Sequence, residues 1–299
     1  MKQTRCFKIA ACLVLAWAMT SLTCADQPVR PNVLWLTAED IGPHLNCYGD
    51  STARTPNLDD LASRGLVYEV AWSNYPVCAP ARTTIVTGRY AASLGAGNMR
   101  SRVPLPNGFQ LFPQYLRQAG YYCTNNSKED YNVIKPGKVW DESSPAAHYR
   151  KRSPDQPFFA VFNYNGTHES RIRKRPHQAV IDPGSVKLKS YWPDSPDVRR
   201  DWAQYYDNLQ ALDDWIGARL DELKGSGLAD ETIVLFFGDH GSGMPRHKRF
   251  AGDSGMHVPL LIHVPEALRQ VAPADYVPGG RSNRLVGFID LAPTMLSLA

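Results

Sequence analysis

Hydrophobic and polar positions alternate along this chain in blocks that predict strand followed by helix, repeatedly. Asn32-Val-Leu-Trp-Leu-Thr37 is a continuous apolar run of the kind a strand buried on both faces carries. Thr55-Pro56 opens a short helix through Leu58, Leu61 and Ala62, closed by Gly65. Val67 to Trp72 reads as strand, and Pro80 to Val86 as a helix that starts just past Cys78. Phe112 to Ala119 is a helix ended by Gly120, and Tyr121-Tyr-Cys-Thr124 and Phe158 to Phe162 are strands. Arg200 to Lys224 has helical periodicity, with Trp202, Tyr205, Leu209, Leu212, Ile216, Leu220 and Leu223 on its inner face. Thr232 to Phe237 and Pro259 to Val264 complete the strong strands, while Lys135 to Gln156 is polar and reads as a surface excursion. Strands alternating with helices predict an α/β fold, with a mostly parallel central sheet covered by helices on both faces.

The amino terminus follows a different pattern. Lys2, Arg5 and Lys8 precede an apolar stretch from Ile9 to Met19, and small residues lead to Ala25. Residues 1–25 therefore read as a secretory signal peptide, too short in its apolar core for a comfortable membrane span. An exported protein, periplasmic or secreted, is expected. The leader carries three of the 33 basic residues and none of the 29 acidic ones, so the remainder is close to balance and gives no support for nucleic-acid binding. Cys6, Cys12 and Cys24 leave with the leader. The odd set that remains, Cys47, Cys78 and Cys123, asks for one unpaired cysteine with a task and leaves Cys47 and Cys123 free to pair. The stretch 31–299 is long enough for one domain with one large core.

Charged residues fall where such a sheet places chemistry, beyond the carboxyl ends of its strands. The first strand ends in Glu39-Asp40, and the strand before Gly238 ends in Asp239-His240. Between them lies Cys78-Ala79-Pro80-Ala81-Arg82, followed by Thr87-Gly88. This pattern resembles the C-x-P-[SA]-R-x4-T-G signature of the type I sulfatases, within the alkaline phosphatase-like superfamily. The resemblance implies that a formylglycine-generating enzyme oxidises Cys78 to formylglycine before folding. It also implies that Asp40, Asp239 and His240, with residue 78 and Glu39, hold one divalent cation. Carboxylate oxygens suit calcium or magnesium. His240, where asparagine is frequent, suits softer ions and keeps manganese and zinc open. Glu39 stands where aspartate is usual, so it either coordinates with its longer arm or supports the shell, and Asp40 is the safer ligand.

Further positions extend the resemblance. Lys128 matches a sulfate-binding lysine, with Asp130 where the family carries histidine. His168, after Thr167, matches a substrate-facing histidine, and Lys248 matches a second sulfate-binding lysine. The implied chemistry is attack on sulfur by a hydroxyl of hydrated formylglycine-78, with Arg82 holding the diol. The cation, Lys128 and Lys248 would neutralise charge, and His168 would be the general acid. Tyr122 to Tyr131, Thr167 to Ser170 and Gly241 to Lys248 look closest to the branch around heparan N-sulfatase and its bacterial glycan-degrading relatives. The substrate expected is a sulfated carbohydrate or other sulfate ester, O- or N-linked, which the basic run Arg171-Ile-Arg-Lys-Arg175 either grips or merely borders. Two alternatives stand beside this one: a phosphonate monoester or phosphodiester hydrolase of the same superfamily, and an inactive carbohydrate-binding relative. Family members continue into a smaller C-terminal subdomain beyond the sequence Asp290 to Ala299, and a chain lacking it is expected to leave a sheet edge uncovered and to associate.

Overall fold

The computed structural model describes residues 30–299, so the predicted leader lies outside it. The strands are β1 (Asn32–Ala38), β2 (Leu66–Tyr68), β3 (Ala71–Trp72), β4 (Tyr122–Asn126), β5 (Glu142–Ser143), β6 (Phe158–Tyr164), β7 (Thr232–Gly238), β8 (Leu260–His263), β9 (Gly280–Ser282) and β10 (Val286–Gly287). The helices are α1 (Pro56–Arg64), α2 (Cys78–Thr87), α3 (Phe112–Gln118), α4 (Glu169–Ile172), α5 (Pro196–Gly225), α6 (Asp253–Met256) and α7 (Leu291–Ser297). The main sheet runs in the order β5-β4-β6-β1-β7-β8-β2-β9. Its pairings leave β8 alone reversed, so the mostly parallel sheet is as the periodicity predicts.

Both faces of that sheet are covered, which is why β1 shows no polar alternation. Its Leu34, Leu36 and Ala38 point into a core shared with α1 and α5. Val33 and Trp35 point into the opposite core, with residues of α2, α3 and α7. In register, Ala38 lies opposite Tyr164 of β6 and Gly238 of β7. The residues that follow these three strands therefore emerge at one level, on one edge of the sheet.

Helix α5 begins where Ser195 accepts a bond from the Val198 amide and Pro196 fills the first turn. It buries Trp202, Tyr205, Leu209, Leu212, Ile216 and Leu223, the predicted inner face; Leu220 packs at its margin. Helix α2 is buried over all ten residues, including three threonines. Their hydroxyls are satisfied inside the helix: Thr83 donates to the Ala79 carbonyl at 2.7 Å, Thr84 to Pro80 at 3.1 Å and Thr87 to Thr83 at 2.6 Å. Gly88 ends the helix at φ 62, and an added Cβ would meet Ala292 of α7 at 3.1 Å. Thr87-Gly88 is thus the structural stop of the helix that carries Cys78.

Two expectations need correction, and one alternative left open is settled. The predicted strand 67–72 breaks after Tyr68, because β3 turns away to pair with β10 in a small second sheet. The segment 135–156 is no mere surface excursion: it supplies β5 and buries Val139, Trp140, Ala147 and Tyr149 against β6. Cys47 and Cys123 do not pair. Among the described residues Cys47, Cys78 and Cys123 are free, and Cys47 and Cys123 pack on opposite faces of the sheet.

Candidate active site

Helix α2 delivers Cys78 as its first residue, with Val77 extended before it. Cys78 therefore stands at a helix amino terminus, where a negative charge is favoured. β1 and β7, ending side by side, deliver the two acidic pairs. Glu39, Asp40, Asp239 and His240 are all buried, as are Cys78, Arg82 and Lys248. Burial of so many ionisable groups is tolerable only because they satisfy one another.

Their geometry is closed around residue 78. Its Sγ lies 3.1 Å from His240 Nε2. The same nitrogen is 3.2 Å from Asp40 Oδ1. His240 Nδ1 is 2.9 Å from the Gly241 carbonyl, which places a ring proton on Nδ1 and turns Nε2 toward the cluster. The Asp40 amide donates to Asp239 Oδ1 at 3.0 Å, and the Glu169 amide donates to Asp40 Oδ2 at 2.7 Å. Asp40 itself stands at φ 52, a left-handed conformation held by these contacts. Lys248 Nζ donates to both Asp40 oxygens, at 3.0 and 2.8 Å, and lies 3.4 Å from His168 Nε2.

Arg82, one turn below Cys78, faces three acceptors: Asp239 Oδ2 at 3.1 Å, Asn163 Oδ1 at 2.8 Å and Glu39 Oε1 at 3.5 Å. Lys128, just past β4, closes on Glu39 and lies 3.7 Å from Asp130. Arg82, Lys128 and Lys248 thus balance Glu39, Asp40 and Asp239 one for one. Burial pushes the Cys78 thiol up to about 12, so as an ordinary cysteine it stays protonated and a weak nucleophile. Burial alone would lower Lys248, but Asp40, Cys78 and Glu169 together outweigh it and hold the ammonium above its usual value.

All the predicted residues are drawn into this buried cluster or its immediate partners. His168 is half-buried at the mouth, and its Nδ1 contacts Ser170 Oγ at 2.9 Å. Ligand atoms of Cys78, Asp239 and His240 lie within 4.8 Å of one another, and so do those of Asp40, Cys78 and His168. Two buried carboxylates, an imidazole nitrogen turned toward them and residue 78 fit a divalent cation. Glu39 is turned toward Arg82 and Lys128 instead.

Two participants were not anticipated. Asn163, near the end of β6, accepts from Arg82, accepts from Thr37 Oγ1 at 2.7 Å and donates to Asn125 Oδ1 at 2.9 Å. A lone amide closing the apolar run Phe158–Phe162 is the signal that marks it. Glu169 takes both arms of the Arg249 guanidinium at 2.7 Å, and that bond holds its carboxyl down at about 2. The basic run 171–175 turns partly away from the cleft: Arg173 and Arg175 both pair with Asp201 of α5.

Comparison with known proteins agrees with this geometry. A profile described as Sulfatase matches residues 31–135 and 122–299. An ulvan-active sulfatase of Formosa agariphila is 38% identical over 91% of this chain and 52% of its own length. The human N-sulphoglucosamine sulphohydrolase is 26% identical over 89% of this chain and 60% of its own length. Among solved structures, the phosphonate monoester hydrolase SpPMH from Silicibacter pomeroyi superposes with a TM-score of 0.72 at 18% identity, covering 90% of this chain and 73% of that one. The chain therefore spans about half to three fifths of the two sulfatases. Matched by the family profile from residue 31 to residue 299, it belongs to the sulfatase family.

Proposed function

We propose that this protein hydrolyses a sulfuric ester or sulfamate of a glycan and releases inorganic sulfate, with formylglycine made from Cys78 as the nucleophile. The observation that carries the reading is the position of Cys78, first residue of a buried helix and 3.1 Å from His240 inside a charge-balanced cluster. A hydrated aldehyde at residue 78 supplies one hydroxyl to bond sulfur and a second whose collapse expels sulfate. A divalent cation, calcium by the preponderance of carboxylate ligands, supplies Lewis acidity and charge neutralisation there, held by Asp40, Asp239 and His240.

The remaining work falls to the chain's own side chains. Arg82 keeps residue 78 and Asp239 in register, itself fixed by Asn163. Lys128 and Lys248, paired with Glu39 and Asp40, are the cations on hand for the oxygens of an incoming sulfate. His168, at the mouth and beside Lys248, is placed to protonate the departing sugar oxygen or nitrogen as its bond to sulfur breaks. Asp130 stays within reach of Lys128 and trims its position.

The names of the two sulfatase relatives support a sulfated glycan as substrate, and export suits a polymer outside the cell. No described helix is long and apolar enough to cross a membrane. His240 among the ligands favours a second reading, a phosphonate monoester or phosphodiester hydrolase with a softer metal. The test is release of sulfate from a panel of O- and N-sulfated glycan fragments. The protein is to be made alongside a formylglycine-generating enzyme. Release that disappears in Cys78→Ala, in Asp239→Ala and on chelation supports the proposal. Turnover of phosphonate or phosphodiester substrates without sulfate release overturns it.

A further inference from the structure

Beside the buried cluster lies a cleft of about 410 Å³ that the chemistry above does not use. It starts two residues past Asp40, at Gly42, and reaches His247, which immediately precedes Lys248. Trp202 and Tyr206 of α5 lie along one wall, and Tyr191 stands at the rim. The volume is that of a small-molecule site.

The walls are rigid. His247 is buried, contacts Ser242 Oγ at 2.7 Å and Tyr191 Oη at 3.2 Å, and stacks with His44 at 6.0 Å between ring centroids. Arg246 lies over the Tyr191 ring at 4.9 Å. Two carboxylates line the cleft; Asp50 is engaged, whereas Asp253 is exposed. Asp50 accepts from the Tyr206 hydroxyl at 2.7 Å and the Thr52 amide at 3.0 Å, and Asp253 lies 3.6 Å from His257. Lys187 and Lys189 differ: both are exposed, and neither forms an ion pair among the described residues. Lys187 reaches only Ser51 Oγ, at 3.4 Å.

We propose that this cleft is a subsite for the sugar unit next to the one that loses sulfate, and that this unit is a uronic acid, its carboxylate held by Lys187 and Lys189. The proposal rests on the sulfatase reading and names its substrate class. The Tyr191 ring, exposed at the rim, offers a surface for an apolar sugar face, while the two ammonium groups select charge. The cations of the 171–175 run do not line the cleft.

Calorimetric titration decides, with a sulfated tetrasaccharide containing uronic acid and with its carboxyl-reduced counterpart. In the double variant Lys187→Ala, Lys189→Ala, affinity for the acidic tetrasaccharide is expected to fall about tenfold, as two exposed charge contacts would give. Affinity for the reduced one should stay nearly unchanged, and the difference should shrink with salt. Equal loss for both ligands, no loss for either, or no binding of the acidic ligand by the unaltered protein overturns the subsite. Turnover of a small aryl sulfate, measured in parallel, separates the two claims. It should be the same in the double variant and the unaltered protein if only the subsite is lost. Its absence from both speaks against the sulfatase reading and leaves the binding result to stand by itself.

Discussion

At the scale of single residues, the site depends on groups that touch no substrate. Asn163 is the clearest. Replacing it by alanine strips an acceptor from Arg82 and a partner from Thr37 and Asn125, all buried. Asn163→Ala should lower kcat by roughly tenfold to a hundredfold with little change in KM, because misplacement of the Arg82 head acts on the reacting centre. Asn163→Asp, which keeps the acceptor, should recover part of that loss; equal kinetics of all three proteins would remove Asn163 from the account. His247 gives a pH-dependent case. Burial pushes its imidazole from the ordinary 6.5 down to about 4, so the folded protein resists a proton that the unfolded chain accepts. Between those values the unfolded state binds more protons, and stability must rise with pH. The melting temperature should fall as pH drops from 6.5 to 4, and His247→Gln should flatten that slope; an unchanged slope would contradict the assignment. Legibility at this scale was uneven. Cys78, Arg82, Asp40 and Asp239 could be read from a spaced motif and from strand ends, and Lys248 from its order in the family resemblance. Asn163 showed only as a lone amide closing an apolar run, and Glu169 not at all, because its partner Arg249 lies 80 residues away in the chain.

At the scale of elements, periodicity was informative wherever an element has one environment along its length. β1, β6, β7 and α5 lie where their apolar patterns put them. It was uninformative for 66–72, where one stretch serves two sheets, and for 135–156, where four buried residues hide among polar ones. The docking of α1 on α5 shows a contact no local pattern reveals. Asp213 of α5, fully buried, accepts from the Asn57 amide at 3.0 Å, the Leu58 amide at 2.8 Å and the Asn57 side chain at 2.8 Å, and so caps α1 from another helix. Asp213→Ala leaves those donors unpaired and should destabilise the fold by about 2–3 kcal/mol. That is a fall in Tm of roughly 5–10 °C for a chain of this size, readable by calorimetry. Asp213→Asn, which keeps an acceptor, should lose less. Equal melting of the alanine variant and the parent would contradict the cap.

At the scale of the whole molecule, the parallel sheet places five separate segments of the chain on one edge, and the charges they bring cancel one for one. That balance suits a site built to admit a dication and then an anion: the cation leaves the cluster positive, which the sulfate and the ionised residue 78 then offset. The account turns on one covalent fact, the state of residue 78. Trypsin should release the peptide 65–82, which ends at Arg82 and contains Cys78 alone among the cysteines. In protein made with a formylglycine-generating enzyme and active in sulfate release, the mass of that peptide should show CH2–SH replaced by CHO. A fully active protein whose peptide still carries the thiol would contradict the account at its centre.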